Sequence, residues 1–150
     1  MHIRKLTNNE SIPWELLLLA DPSVKKIKEY LKNAISYVAL IDDKIVGIYV
    51  LQNKNNGVVE LKNIAVRKTY QNQGIGKKLV LDAIEKAKSF GAKEIEVGTG
   101  NSSISQLAFY QKCGFRITEI VKDFFIDNYP QKIFENRIQC TDMIMLSKDL

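Results

Sequence analysis

Asn63-Ile64-Ala65-Val66-Arg67-Lys68-Thr69-Tyr70-Gln71-Asn72-Gln73-Gly74-Ile75-Gly76-Lys77 joins two different periodicities. Before it, Val58 to Val66 is a β-rich run. After it, Ile75, Leu79, Val80, Ala83, Ile84, Ala87 and Phe90 recur at helical spacing, with Gly91 as the stop. A strand therefore gives way, through a polar loop, to a long amphipathic helix opened by two glycines. Glycines there let the backbone approach a ligand closely, and the first N–H groups of a helix have no internal partners. Such donors, at the positive end of the helix dipole, suit a phosphate or pyrophosphate, and Lys77 and Lys78 add positive charge. Two nucleotide motifs fail. A P-loop needs glycine in place of Gln71 and Ser or Thr in place of Lys78; a dinucleotide fingerprint starting at Gly74 needs glycine in place of Leu79. Taken alone, G-x-G equally describes a tight turn.

Upstream, residues 3–6 read as a short strand and Ile12 to Leu19 as a helix ending before Asp21-Pro22. Ser23 caps a second helix carrying Val24, Ile27, Leu31 and Ala34. Tyr37 to Ile41 and Ile45 to Leu51 flank Asp42-Asp43-Lys44 as a hairpin, and Asn53 to Gly57 turns into the strand Val58 to Val66. Downstream, Ile95 to Gly98 is a short strand, and Ser103 and Gln106 have capping-box spacing for a helix ending at Gly114. Phe115 to Ile126 and Ile138 to Leu146 read as two long strands joined by a polar loop holding Tyr129-Pro130. The predicted order is strand, two helices, three antiparallel strands, helix, strand, helix, two strands. That is an α/β (α+β) mixed sheet with helices on its faces.

The 150 residues suit a single domain spanning 1–150, since neither repeats nor Pro/Gly-rich linkers interrupt them. Apolar residues at 45% and charged residues at 26% have the balance of a globular chain. The net charge of +5 favours anionic ligands, but the lysines are scattered and not interleaved with aromatics, so no nucleic-acid footprint is expected. Apolar runs stay far below the ~20 residues of a membrane span. With no export signal, Cys113 and Cys140 are expected as reduced thiols in the cytoplasm. Two distant cysteines and the lone His2 make no recognisable zinc site, so no metal is expected.

Gln71-x-x-Gly74-x-Gly76, preceded by Asn63-Ile64-Ala65-Val66 and followed by Leu79 and Val80, resembles the acetyl-CoA signature of the GCN5-related N-acetyltransferases (GNAT). A second match, Phe109-Tyr110-Gln111-Lys112-Cys113-Gly114-Phe115, resembles that family's F/L-Y-x-x-x-G-F segment. The resemblance spans the chain and is specific from Val58 to Phe115. It implies the acyl-CoA N-acyltransferase fold and a cytoplasmic acetyltransferase that passes an acetyl group from acetyl-CoA to a primary amine. It also implies that backbone N–H groups of Gln71, Asn72, Gln73, Gly74, Ile75 and Gly76, with Lys77, hold the pyrophosphate. Main-chain groups of Ile64, Ala65 and Val66 would hold the pantetheine arm, between strands Val58–Val66 and Glu94–Gly98 that splay apart.

The resemblance makes Tyr110 the first candidate for catalysis, as the acid that protonates the departing thiolate; its alternative is a core aromatic. Asn101 either bonds pantetheine, or orders a water, or belongs to a Gly100-Asn101-Ser102 turn. Glu60, eleven residues before Gln71, stands where histone-acetylating relatives carry a basic glutamate. An amine with a pKa of ~10.4 arrives protonated, and a carboxylate can take that proton. Glu60 also shares an expected strand face with Lys62 and Ile64, so a surface ion pair is the alternative. Cys113 lies one helical turn from Tyr110 but lacks a histidine to activate it, and reads as packing; Trp14 reads as core. Residues 12–35, 53–57 and 124–138 correspond to the family's acceptor region and hold Glu15, Asp21, Glu29, Asp123, Asp127 and Glu135. The C-terminal hairpin offers an exposed edge through which two subunits could pair. A non-catalytic acyl-CoA-binding protein on the same fold is the competing reading.

Overall fold

The computed structural model describes residues 1–150. The elements are β1 (His2–Lys5), α1 (Trp14–Ala20), α2 (Val24–Leu31), β2 (Ala34–Ile41), β3 (Lys44–Asn55) and β4 (Val58–Val66), followed by a 3-10 turn at Lys68–Tyr70. Then come α3 (Ile75–Ser89), β5 (Glu94–Gly100), α4 (Ile104–Lys112), β6 (Arg116–Val121), α5 (Phe124–Asn128), β7 (Phe134–Glu135), β8 (Ile138–Gln139) and β9 (Met143–Asp149). Seven strands form one mixed sheet in the order β1-β2-β3-β4-β5-β9-β6, with β4 and β5 as its parallel pair.

The sheet separates two apolar clusters. On one face Leu79, Val80, Ala83, Ile84 and Ala87 of α3 pack with Val59, Leu61, Ile95, Val97 and Leu146. On the other, Leu16 and Leu17 of α1 and Ile27 and Tyr30 of α2 pack with Val38, Ile48, Val50 and Ala65. Ser23 caps α2, its hydroxyl accepting from the Lys26 N–H at 3.2 Å.

β4 serves both faces. Burial alternates along it from Val58 to Val66, yet Val59 and Leu61 enter the α3 core while Ala65 enters the α1–α2 core. The register explains this: Val50 pairs with Asn63 and Leu51 with Leu61, so Lys62 is the extra residue of a bulge. One added residue inverts the faces of everything after it. Glu60 and Lys62 consequently share a face, whereas Ile64, expected beside them, packs against the α3 core instead.

The C-terminal third departs from the predicted pattern. Nearer the N-terminus, too, Ala34 begins β2 rather than extending α2. The strand expected over Phe115–Ile126 stops at Val121, because Asp123 takes a left-handed turn (φ 60°) and its N–H donates to Asp142 Oδ1 at 2.9 Å. Phe124–Asn128 then coils into α5, anchored by the Phe125 N–H to the Thr141 carbonyl at 2.9 Å. The strand expected over Ile138–Leu146 is cut at Cys140–Asp142, leaving β8 in a small hairpin with β7 and β9 in the main sheet. Ser103 precedes α4 without capping it; its hydroxyl donates to Glu135 Oε1 at 2.8 Å, so the capping box with Gln106 does not form.

Candidate active site

The loop before α3 is shaped by two left-handed residues, Asn72 (φ 63°) and Gly74 (φ 80°). No side chain caps the helix and its first turn holds no acidic residue. The first N–H to find a backbone partner is that of Lys78, on the Gly74 carbonyl at 3.2 Å; those of Asn72 through Lys77 have none. Six donors gathered at a helix N-terminus, with no acceptor of the protein's own, fit a pyrophosphate. Gln71 differs from its neighbours. Its N–H donates to the Lys68 carbonyl at 3.3 Å and its side-chain amide to the Val66 carbonyl at 2.9 Å, so it braces the loop.

Next to the loop the sheet opens. β4 and β5 pair from Val58↔Glu94 to Leu61↔Val97 and no further. β4 stays with β3 as far as Gly47↔Val66, and β5 stays with β9 as far as Gly100↔Met143. The two halves therefore part beyond Leu61 and Val97. Arg67 donates its N–H to the Val46 carbonyl at 2.8 Å, so by strand alternation Ile64 and Val66 turn their backbone groups toward the opening and Ala65 turns its own toward β3. On the β5 side, Gly98 leaves room for the methionine side chains of β9 to lie against the strand. A Cβ there would stand 2.6 Å from Met143 Sδ and 2.9 Å from Met145 Sδ.

Tyr110 stands on the α3–α4 side, 4% exposed, packed between Phe109 and Phe115 with ring centroids 5.4 and 5.9 Å away. Burial, with a lesser contribution from Cys113, holds its phenol well above the ordinary value, so it stays protonated and able to donate. Burial also raises the Cys113 thiol, against the opposing pull of Lys77, which keeps it a poor nucleophile.

Across the sheet lies a cavity of about 350 Å³ whose lining includes Tyr30, Glu60, Lys62, Gly98, Tyr129 and Met143. Glu60 has its carboxylate 3.4 Å from Lys62 Nζ and 3.6 Å from Lys54 Nζ, and Lys54 also pairs with Glu96. Burial pushes the Tyr30 phenol up to about 12, and the same cause raises Tyr129. A wider hollow of about 520 Å³ at the β1–β2 edge is lined by Met1, His2, Arg4 and the Asp42-Asp43 turn, remote from the opening.

Asn101 acts as a brace between segments. Its Oδ1 accepts from the N–H groups of Thr141 (2.8 Å) and Asp142 (2.9 Å), and its amide donates to the Gln139 carbonyl at 3.1 Å. This is the turn reading of Gly100-Asn101-Ser102 rather than a side chain held free for a ligand. Of the acidic residues in the acceptor region, only Asp21 and Glu29 line the cavity. Glu15 pairs with Arg67 at 2.9 Å, Glu135 receives the Ser103 hydroxyl, and Asp123 and Asp127 are exposed. Trp14 is half-buried against the α1–α2 core. Sequence reasoning did not find Lys26, Tyr30, Tyr129 and Met143. Their only signal was position within, or just after, the segments that correspond to the family's acceptor region, and none carries a motif.

The Acetyltransferase (GNAT) family matches residues 4–115. A Bacillus subtilis protein, "Uncharacterized N-acetyltransferase YvbK", is 55% identical over 144 residues, covering 96% of this chain and 92% of its own. A GNAT family acetyltransferase from Elizabethkingia anophelis, solved with acetyl-CoA bound, superposes with a TM-score of 0.98 at 51% identity, covering 99% of this chain and 97% of that one. The IAA acetyltransferase from Bacillus cereus superposes at 0.94 with 48% identity over 99% of both chains.

Proposed function

The chain belongs to the GNAT acetyltransferase family, and from that premise we propose that it binds acetyl-CoA and an amine together and passes the acetyl group directly to a primary amine of a small molecule or protein. The observation that carries this reading is the opening between β4 and β5. β4 runs from it into the loop with the six unpartnered N–H groups, Tyr110 packs in the core on the α3 face, and Glu60 of β4 and Gly98 of β5 line the cavity on the other face. Bringing two reactants to one opening supplies the gain of proximity and orientation.

In this reading Asn72 to Lys77 hold the pyrophosphate and Gln71 fixes the loop's shape. Backbone groups of Ile64 and the N–H of Val66 hold the arm, and a strand N–H there polarises the thioester carbonyl. The thioester supplies an activated acyl carbon with a thiolate as leaving group. Glu60, directly or through water, takes one proton from the ammonium, so that a neutral amine attacks. As the C–N bond forms and the C–S bond breaks, Tyr110 gives its proton to the departing sulfur and is later reprotonated by solvent; the second amine proton is lost to solvent or base. Asn101 keeps the 139–142 segment in place beside Gly100.

The test is thiol release from acetyl-CoA across a panel of amines. Turnover with wild type is expected, and Glu60→Gln is expected to lower kcat by ~10-fold to 10²-fold. CoA binding without turnover for every amine would instead favour the binding-protein reading.

β6 is the edge strand of the sheet and exposed along its whole length, with Ile117 and Ile120 uncovered at 51% and 61%. We assign this edge to pairing with a second copy. Sedimentation equilibrium is expected to give a dimer that Ile120→Lys converts to monomer.

A further inference from the structure

The cavity beside Gly98 carries a cation with no counter-ion. Lys26 lies on the α2 wall, half-buried, with its ammonium over the Tyr129 ring at 5.3 Å and on Asn128 Oδ1 at 3.4 Å. No carboxylate comes within 4.0 Å of it, although three acidic residues share the cavity. Asp21 is otherwise engaged: its Oδ1 accepts from the Ser23 N–H and from the Tyr129 hydroxyl, both at 3.0 Å. Glu29 is exposed at the rim. Glu60 is held on the sheet between Lys54 and Lys62. The remaining cation of the lining, Lys62, is already paired with Glu60 and lies over the Tyr30 ring at 5.3 Å.

The cavity is thus bipolar. Its floor, at the β4–β5 opening, offers a carboxylate, and its α2–α5 wall offers an ammonium, with the Tyr30 and Tyr129 rings in its lining. A polyamine or aminoglycoside would bring further positive charge against Lys26 and leave that residue's own charge unanswered. An acceptor bearing one amine and one carboxylate would answer Lys26 with its carboxylate, an ammonium–carboxylate contact being the stronger kind of hydrogen bond, while its amine shares Glu60 with Lys54 and Lys62. We propose that the acceptor is an aminocarboxylate, with its amine toward Glu60 and its carboxylate held by Lys26. This rests on the transfer reading above and names the substrate class of that same site. Lys26 acts as a specificity residue and takes no part in the chemistry.

Thiol release is measured for wild type, Lys26→Met and Lys26→Arg, using α-, β- and ω-amino acids each paired with its carboxamide, and spermidine as a carboxylate-free amine. Wild type is expected to prefer the acids, with KM for an amide at least ~10-fold higher than for its acid. Lys26→Met should raise KM for the acids ~10-fold while leaving kcat and the amide KM unchanged, so that the preference collapses; Lys26→Arg should keep it. Amides or spermidine used as well as the acids would overturn the proposal, as would Lys26→Met affecting acid and amide alike. Those outcomes leave the transfer reading standing. Thiol release from no amine at all, by a protein that binds CoA, would remove the transfer reading and this inference with it.

Discussion

Tyr110→Phe is expected to leave CoA binding unchanged and to lower kcat by ~10² or more, the usual contribution of a well-placed general acid. The substitution is informative because it removes so little. Tyr110 is buried by its ring, between Phe109 and Phe115, and Phe fills the same volume. Burial and Cys113 dominate its environment, and no hydrogen-bond partner in the protein loses a bond when the hydroxyl goes. Stability should hold, so thermal melts and CoA titration form the controls and thiol release with saturating amine the readout. Because burial keeps the phenol protonated, the loss should persist across neutral pH instead of appearing on one limb of the profile. Unchanged turnover would return Tyr110 to the role of a core aromatic.

Gly74→Val is expected to raise Kd for CoA by ~10² while costing the fold little. Gly74 opens α3 at φ 80°, a conformation a β-branched residue adopts only at a cost of ~1–2 kcal/mol. Space is not the obstacle, since nothing lies within 4 Å of a Cβ built there. The chain would relax by turning away from φ 80°, and the N–H groups of Asn72 to Ile75 would lose their common aim. Each hydrogen bond to a charged group is worth ~1.5–3 kcal/mol, so misdirecting two suffices for the expected loss. Calorimetric titration with CoA measures it, and the core of α3, from Leu79 to Ala87, should keep the melting temperature within a few degrees. CoA affinity equal to wild type would mean that the loop does not hold the pyrophosphate.

What was legible in the amino-acid sequence was whatever depended on neighbours along the chain. The strand Val58–Val66 and the α3 stripe were readable because side-chain periodicity is a local property, and their bounds recur in the structure. Gly74 was readable because a left-handed residue at a helix start leaves few choices of residue. The bulge at Lys62 was not readable. It leaves the buried–exposed alternation of β4 intact and shows only in the register with β3. The Phe115–Ile126 strand was misjudged for a related reason: its β-rich composition is real, but Asp142 and Thr141, close to twenty residues on, hold Asp123 and Phe125 in a turn and a short helix.

The chemistry divides along the same line. Tyr110 and the loop before α3 each belong to a contiguous segment, so their types and spacing made them candidates before any coordinates. The cavity draws on α2, β3, β4, β5, α5 and β9 at once, and its two charged ends, Glu60 and Lys26, come from elements that meet only in the folded chain. Whether Ile64 stays beside Glu60 turns on the bulge, and whether Lys26 lacks a counter-ion turns on where Tyr129 and Ser23 engage Asp21. Local periodicity determines which segments pair with which partners, but register and the sharing of a carboxylate are long-range, many-body outcomes. The sequence marked the candidates for the cofactor side; those proposed for the acceptor side were brought together by tertiary packing.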